Sequence, residues 1–106
     1  MAKDKAPKAY LQLKKAHGPV FDALERLGQQ VREAGPLDEK TGHLIQLAAA
    51  AATRSEGAVH SHVRRALAAG ASREEIHHSL LLLVSTIGFP HVVAALTWAE
   101  DVIGKK

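Results

Sequence analysis

The stretch EGAVHSHVRRALAAGASREE, residues 56–75, decides the fold class of this chain. Its apolar residues recur every three or four positions, which is the spacing of one face of a helix. The apolar stripe consists of Ala58, Val59, Val63, Ala66 and Leu67. Gly70 is a stop signal for this helix, and Ser72 followed by Glu75 fits the capping box that begins another. The stretch therefore predicts two consecutive helices joined by a short turn.

Helix patterns extend outward from this stretch in both directions, whereas no segment alternates apolar and polar residues as a strand would. The breaks fall at Gly18-Pro19, Gly35-Pro36 and Gly88-Phe89-Pro90. The helices are predicted at about 7–16, 20–34, 38–52, 57–69, 72–87 and 90–103. We therefore predict an all-α fold of about six helices, forming a single domain over residues 1–106 with a flexible basic tail at residues 1–6.

The composition provides mostly small side chains for the core. The chain of 106 residues contains 19 alanines, and only 4% of its residues are aromatic. A domain of this size buries only about two-thirds of the surface of its unfolded chain, and each alanine contributes little apolar area. Burial against another copy of the chain would supplement such a core, so we predict a homo-oligomer.

The composition also excludes several classes of function. The chain has no cysteine, which excludes disulfides, thiolate metal sites, iron–sulfur clusters and thiol redox catalysis. Basic charge is concentrated at the two ends, whereas residues 16–104 contain seven basic and ten acidic residues, so we expect no nucleic-acid partner. No apolar run approaches the roughly 18 residues of a membrane span, and the first residues lack a signal-peptide pattern. We expect a cytoplasmic protein without a membrane partner.

Histidine is the residue type best suited to carry chemistry in this chain, which contains seven of them. His62 falls within the predicted apolar stripe because it is four residues from both Ala58 and Ala66. An inward-facing imidazole is a candidate general acid or base, since it titrates near neutrality. The alternative is a core histidine that forms a hydrogen bond with a backbone carbonyl or a carboxylate.

Two further residues are candidates to share a pocket with His62. Glu56 reaches His62 only if the chain is irregular near Gly57, and is otherwise a glutamate that stabilises a helix start. His43 lies at the edge of the apolar stripe of the preceding helix. It either lines the same pocket as His62 or faces solvent.

The spacing of the histidines argues against a metal site. On a helix, residues two apart such as His60 and His62 point about 200° away from each other. His77 and His78 are adjacent and also lie on different faces. Neither pair can share an ion on one helix face, so we expect no metal cofactor.

Three segments of the chain resemble the carboxymuconolactone decarboxylase family. They are residues 61–76 (SHVRRALAAGASREEI), the segment Leu37–Thr41 and Gly88-Phe89-Pro90. That family also includes the alkylhydroperoxidase D-like proteins. The resemblance covers about residues 20–103. It implies an all-helical, alkylhydroperoxidase D-like fold and homo-oligomers, commonly trimers or hexamers.

The peroxidase branch of that family, which has peroxiredoxin-type activity, carries a Cys-x-x-Cys-x-x-x-His pattern. Aligned on His62, the pattern would place its cysteines at Ser55 and Ala58 of this chain. Peroxide reduction by that route needs a thiolate nucleophile and a resolving thiol. We therefore interpret Ser55 and Ala58 as degenerate redox positions and expect the peroxidase activity to be absent.

The decarboxylase branch carries Glu-x-x-x-x-x-His-Val-Arg, which this chain matches from Glu56 to Arg64. The resemblance implies a lyase that needs no cofactor and acts on a small lactone or keto acid. In that interpretation His62 donates a proton, Glu56 orients its ring, and His43 occupies a position where the family usually carries a glutamate. Arg64 and His91 are the candidates for binding the substrate carboxylate. The alternative is a non-catalytic oligomeric or small-molecule-binding protein that retains the fold.

Overall fold

The computed structural model describes residues 7–104, so the predicted tail at residues 1–6 lies outside the described part of the chain. All regular secondary structure within residues 7–104 is helical, which confirms the predicted all-α class. The helices are α1 (Lys8–Ala16), α2 (Gly18–Glu33), α3 (Glu39–Ala52), α4 (Glu56–Ala68), α5 (Arg73–Leu81), α6 (Val84–Ile87) and α7 (Phe89–Ile103). Within these residues, each helix is too short or too polar to cross a membrane.

The helix predicted at residues 72–87 is divided into α5 and α6, which is why the described chain has seven helices rather than six. The backbone N–H of Leu83 donates to the carbonyl of Leu80, three residues earlier instead of four. This tighter turn separates α5 from α6, which is a single turn of four residues. Neither glycine nor proline marks the break, so the apolar pattern runs through it and the sequence does not signal it.

The chain divides after Asp38 into two compact units, and the single-domain organisation stays a prediction. In the first unit, described from residue 7, Lys14 Nζ of α1 lies 2.6 Å from Glu25 Oε2 of α2. The hydrogen bond to Glu25 raises the pKa of Lys14 above its usual value. The rings of Tyr10 and Phe21 pack edge to face, with centroids 5.3 Å apart. These contacts hold α1 against α2.

The apolar stripe of α2 lies on the surface. Its aliphatic side chains are 56–59% exposed, and they are Val20, Leu24, Leu27 and Val31. The described residues of α2 include none that is buried. A continuous row of exposed aliphatic side chains is typical of a surface that another protein covers.

The core of the second unit is built on the hairpin of α3 and α4, the two helices with the most extensive contact in the described chain. Ala50 and Ala51 of the alanine run are buried, as expected if small side chains let the helices approach closely. Val59 and Val63 are fully buried, which confirms the stripe predicted for α4. α5 and α7 contribute Ile76, Leu80, Val92, Ala95 and Ala99 to the buried set.

α7 buries small residues in preference to one of its larger aliphatic side chains. Val93 is exposed, whereas Ala95 and Ala99 have no exposed surface. The alanines allow α7 to lie close against α4, with which it makes its most extensive contact. The apolar pattern of α7 alone does not distinguish these faces, because both carry hydrophobic side chains.

The start of α5 follows its sequence signal. Ser72 Oγ accepts a hydrogen bond from the backbone N–H of Glu75, and Glu75 Oε1 accepts one from the backbone N–H of Ser72. The predicted capping box is therefore confirmed. Lys40 Nζ donates to Glu75 Oε2 at 3.0 Å and connects α3 to α5. The backbone hydrogen bond from Ser72 and the bond from Lys40 lower the pKa of Glu75 below its usual value.

Candidate active site

The interior of the α3–α4 hairpin contains two histidines. His43 of α3 is 2% exposed, and His62 of α4 is half-buried. Their ring centroids are 5.7 Å apart and the ring planes are tilted by 37°. The structure therefore brings these two predicted site residues together, and it places His43 inside the fold rather than facing solvent.

His43 also lies close to an exposed carboxylate on its own helix. Its Nε2 is 3.8 Å from Oε2 of Glu39, whose side chain is 67% exposed and lies one turn earlier. The Nδ1 atoms of His43 and His62 are both buried. The ring of His43 thus has an exposed carboxylate near one nitrogen and an interior imidazole as its neighbour.

His60 lies on the opposite side of α4 and faces α7. Its Nε2 is 3.0 Å from Oδ2 of Asp101, a hydrogen-bond distance with the carboxylate as acceptor. The same nitrogen is 3.9 Å from Oε2 of Glu56. The different partners of His60 and His62 agree with the opposite orientations expected from their two-residue spacing.

Glu56 shares a face of α4 with His60. α4 is helical from Glu56 through Gly57, so the irregularity that Glu56 needs to reach His62 does not occur. Residues six apart on a regular helix point about 120° away from each other, whereas residues four apart are neighbours. This geometry does not favour the predicted role of Glu56 in orienting the ring of His62.

The two degenerate redox positions form the start of α4. Ser55 is the N-cap residue, and its Oγ accepts a hydrogen bond from the backbone N–H of Ala58 at 3.4 Å. Ala58 is half-buried and packs against the core. In place of a thiol pair, these positions therefore provide a helix cap and a small apolar contact.

Arg64 and His91, the predicted substrate-binding residues, are both half-buried. Arg64 is four residues after His60, so the helical repeat places it on the same side of α4 as His60. His91 lies in the first turn of α7. Their role in binding a carboxylate stays a prediction.

The sequence analysis missed two carboxylates of α7 that contact histidines. Asp101 contacts His60 as described above. Glu100 Oε2 lies 2.6 Å from Nε2 of His77, and its Oε1 lies 3.4 Å from Nη2 of Arg73. In the sequence, Glu100 and Asp101 are only two adjacent acidic residues near the end of a helix. They do not by themselves indicate a site, because the residues that they contact lie on α4 and α5.

A groove of about 450 Å³ lies between α3 and α5. Its wall is mostly aliphatic with a few polar groups, and the lining residues are Thr41, Leu44, Ile45, Ala48, Glu75, His78, Ser79, Leu82 and Leu83. His43 and His62 do not line this groove. The groove and the histidine pair are therefore separate features of the second unit.

Comparison with known families agrees with the helical structure. A sequence model of the carboxymuconolactone decarboxylase family matches residues 18–101, which is 84 of the 106 residues. No curated protein and no solved structure matches the chain significantly. Since the family match spans most of the chain, the chain belongs to the carboxymuconolactone decarboxylase family.

Proposed function

We propose that the protein is a cofactor-independent lyase that removes carbon dioxide from a small lactone or keto acid, with His62 as the proton donor. The observation that carries this proposal is the contact between buried His43 and half-buried His62 within the α3–α4 hairpin. Membership of the carboxymuconolactone decarboxylase family supports the reaction class.

The proposed reaction breaks the carbon–carbon bond between the substrate and its carboxylate. Carbon dioxide leaves, and the electron pair of that bond passes into the substrate, where a conjugated carbonyl holds it as an enolate. A protonated His62 then transfers its proton to the carbon that lost the carboxylate, and a proton from water restores the imidazolium. General acid catalysis of this kind contributes about 10²- to 10⁴-fold to a rate.

The proximity of His43 to both His62 and Glu39 supports a role for His43 and Glu39 in that proton transfer. Two imidazolium cations at the distance of His43 and His62 repel each other, so the pair carries at most one positive charge. Glu39 is exposed and close to His43. We assign to Glu39, His43 and His62 a route by which a proton from solvent reaches the interior ring.

Thiol peroxidase activity is expected to be absent from this protein. The chain has no cysteine, and the two positions that correspond to the thiols hold Ser55 and Ala58. The test is turnover of an organic hydroperoxide with a dithiol reductant by purified protein treated with a chelator. Turnover under those conditions would contradict the expectation.

The test of the lyase proposal is a screen for carbon dioxide release from a panel of small lactone acids and keto acids. The wild-type protein is expected to turn over at least one of them, and His62→Gln is expected to lose that activity. His17→Gln is the matched control, because His17 is exposed between α1 and α2 in the other unit. Equal activity of His62→Gln and wild type would reject the proposed donor.

We also propose that the protein assembles as a homo-oligomer, a trimer or a hexamer, through the exposed stripe of α2. Fully burying one leucine stabilises an interface by about 1.5 to 3 kcal/mol, and the stripe offers Leu24 and Leu27 at more than half exposure. Sedimentation velocity at micromolar concentration is expected to show a single oligomer. Leu24→Glu combined with Leu27→Glu is expected to reduce its mass, whereas a folded wild-type monomer would contradict the proposal.

A second candidate function is the binding of a small molecule without catalysis, which the groove between α3 and α5 favours. The experiment measures binding of the same panel of acids by equilibrium dialysis. If the groove binds the ligand, Ile45→Arg should abolish binding, because it puts a charge into the groove wall. His62→Gln should not affect binding. Leu81→Arg is the control, since Leu81 has similar exposure and does not line the groove.

A further inference from the structure

We propose that Glu56, His60 and Asp101 form a binding site for a divalent transition-metal cation at the contact between α4 and α7. One donor atom from each of these residues lies within 4.8 Å of the other two. The site is on the side of α4 opposite to His62. It therefore does not depend on the proposed lyase function.

The distances between the donor atoms suit a small cation. Ligand atoms arranged tetrahedrally around Zn²⁺ at about 2.0 to 2.2 Å are separated by about 3.3 to 3.6 Å. Nε2 of His60 is 3.0 Å from the oxygen of Asp101 and 3.9 Å from the oxygen of Glu56, so the two distances bracket that separation. Small side-chain rotations would bring both oxygens and the nitrogen to one ion.

The secondary structure holds the three ligands in place. Glu56 and His60 are four residues apart on α4, which puts them on one face. Asp101 lies in the last turn of α7, and α4 packs extensively against α7. The ligands therefore come from two helices whose contact belongs to the core.

The charges of the three ligands themselves also favour a cation. Two carboxylates and one neutral imidazole balance a charge of +2, and this mixed oxygen and nitrogen set suits Zn²⁺ and neighbouring transition metals. The negative end of the α7 dipole near Asp101 adds to this preference, while the positive end of α4 near Glu56 partly opposes it. Three protein ligands leave a fourth tetrahedral position for water.

Metal binding changes the tautomer of a neutral His60 ring. The ring carries one proton before and after binding, but on different nitrogens. In the structure, the hydrogen bond to Asp101 requires a proton on Nε2. When Nε2 binds the cation, that proton is lost from Nε2 and the neutral ring carries its proton on Nδ1. The spacing of the histidines argued only against an ion shared by two histidines. The proposed site instead combines one histidine, His60, with two carboxylates.

The test is a calorimetric titration of chelator-treated full-length protein with Zn²⁺. We expect one ion per chain and a rise in the melting temperature with Zn²⁺, because a ligand that binds only the native state stabilises it. His60→Gln and Asp101→Asn are each expected to weaken the affinity by at least about tenfold. Circular dichroism of the metal-free variants establishes that they are folded.

The control variants are His17→Gln and His78→Gln, which replace exposed histidines outside the three-residue cluster. Both are expected to bind Zn²⁺ as the wild type does. The proposal is wrong if the wild type takes up no Zn²⁺, if His60→Gln and Asp101→Asn retain full affinity, or if the two control variants lose as much affinity as they do.

Discussion

His60 and His62 are two residues apart on the same helix, yet they have opposite environments. His62 faces α3 and contacts the imidazole of buried His43. His60 faces α7 and contacts two carboxylates, those of Asp101 and Glu56. Two residues along a helix correspond to a rotation of about 200°, so the neighbouring helix determines the chemistry available to each ring.

The two sides of α4 offer different chemistry. An imidazole pair inside the hairpin suits the movement of a proton, because an imidazole has one nitrogen that can donate a proton while the other accepts one. An imidazole between carboxylates on the surface suits the binding of a cation.

The largest effect is expected from removing the imidazoles on the α3 side. On a substrate identified by the screen, His62→Gln should reduce kcat by about 10²- to 10⁴-fold, because it removes the general acid. His43→Gln should reduce kcat by less, since it interrupts only the proton route. Steady-state kinetics provide the measurement.

The double variant His43→Gln/His62→Gln sharpens this prediction. Because residues that act as a unit have non-additive effects, the double variant should be no slower than His62→Gln alone. If the two reductions in kcat multiply instead, the two rings act independently and the proposed proton route is wrong.

The second effect is expected on the stability of the protein, from the truncation of a buried apolar residue of α4. Val63→Ala should lower the free energy of unfolding by about 2 kcal/mol, because Val63 is fully buried and its truncation loses apolar burial and leaves a cavity. Urea denaturation measures the change. Val93→Ala, the same substitution at an exposed position of α7, should change stability by no more than about 0.5 kcal/mol.

A smaller effect is expected on the α7 side. Asp101→Asn should lower the free energy of unfolding of the metal-free protein by at most about 1 kcal/mol, because the Asp101 side chain is 47% exposed and solvent screens its interaction with His60. Asp22→Asn, on the exposed surface of α2, is the matched control in the same urea assay. A loss as large as that of Val63→Ala would mean that the histidine contact, rather than the apolar core, holds α4 against α7.

The smallest effect concerns Glu75, a carboxylate whose partners are a helix cap and a lysine rather than a histidine. Its pKa is lowered in the folded protein from an ordinary value near 4.5. It therefore contributes stability that is present above the unfolded value and is lost as the pH falls through the folded pKa. Glu75→Gln should keep the cap but flatten the decrease of stability between neutral and acidic pH.

Thermal unfolding followed at several pH values checks this prediction. Glu74→Gln is the control, because Glu74 lies in the same first turn of α5. If Glu75→Gln and Glu74→Gln have identical pH profiles, the bonds from Ser72 and Lys40 do not stabilise the charged form of Glu75.

Much of the helical structure was predictable because its signals are local. The capping box of Ser72 and Glu75 requires only residues three apart, and the buried stripe of α4 requires only a helical repeat. The division of α5 from α6 was not predictable in this way, since Leu80 to Leu83 continue the apolar pattern and the turn between the helices involves a backbone bond.

The candidate site was predictable only in part. The stripe indicated that His62 points inward, and the i, i+4 spacing of Glu56 and His60 was visible in the sequence. The distance from His43 to His62 depends on how α3 packs on α4. Asp101 reaches His60 from a helix that begins almost thirty residues later in the chain.

The sequence by itself determined the all-α class, the capping box and the opposite directions of His60 and His62, because each follows from the geometry of a single helix or turn. Only the tertiary structure decided that His43 is the neighbour of His62 and that Asp101 is the neighbour of His60. The physical reason is that close packing of small side chains sets which helix faces meet, and local periodicity does not specify the partner of a face.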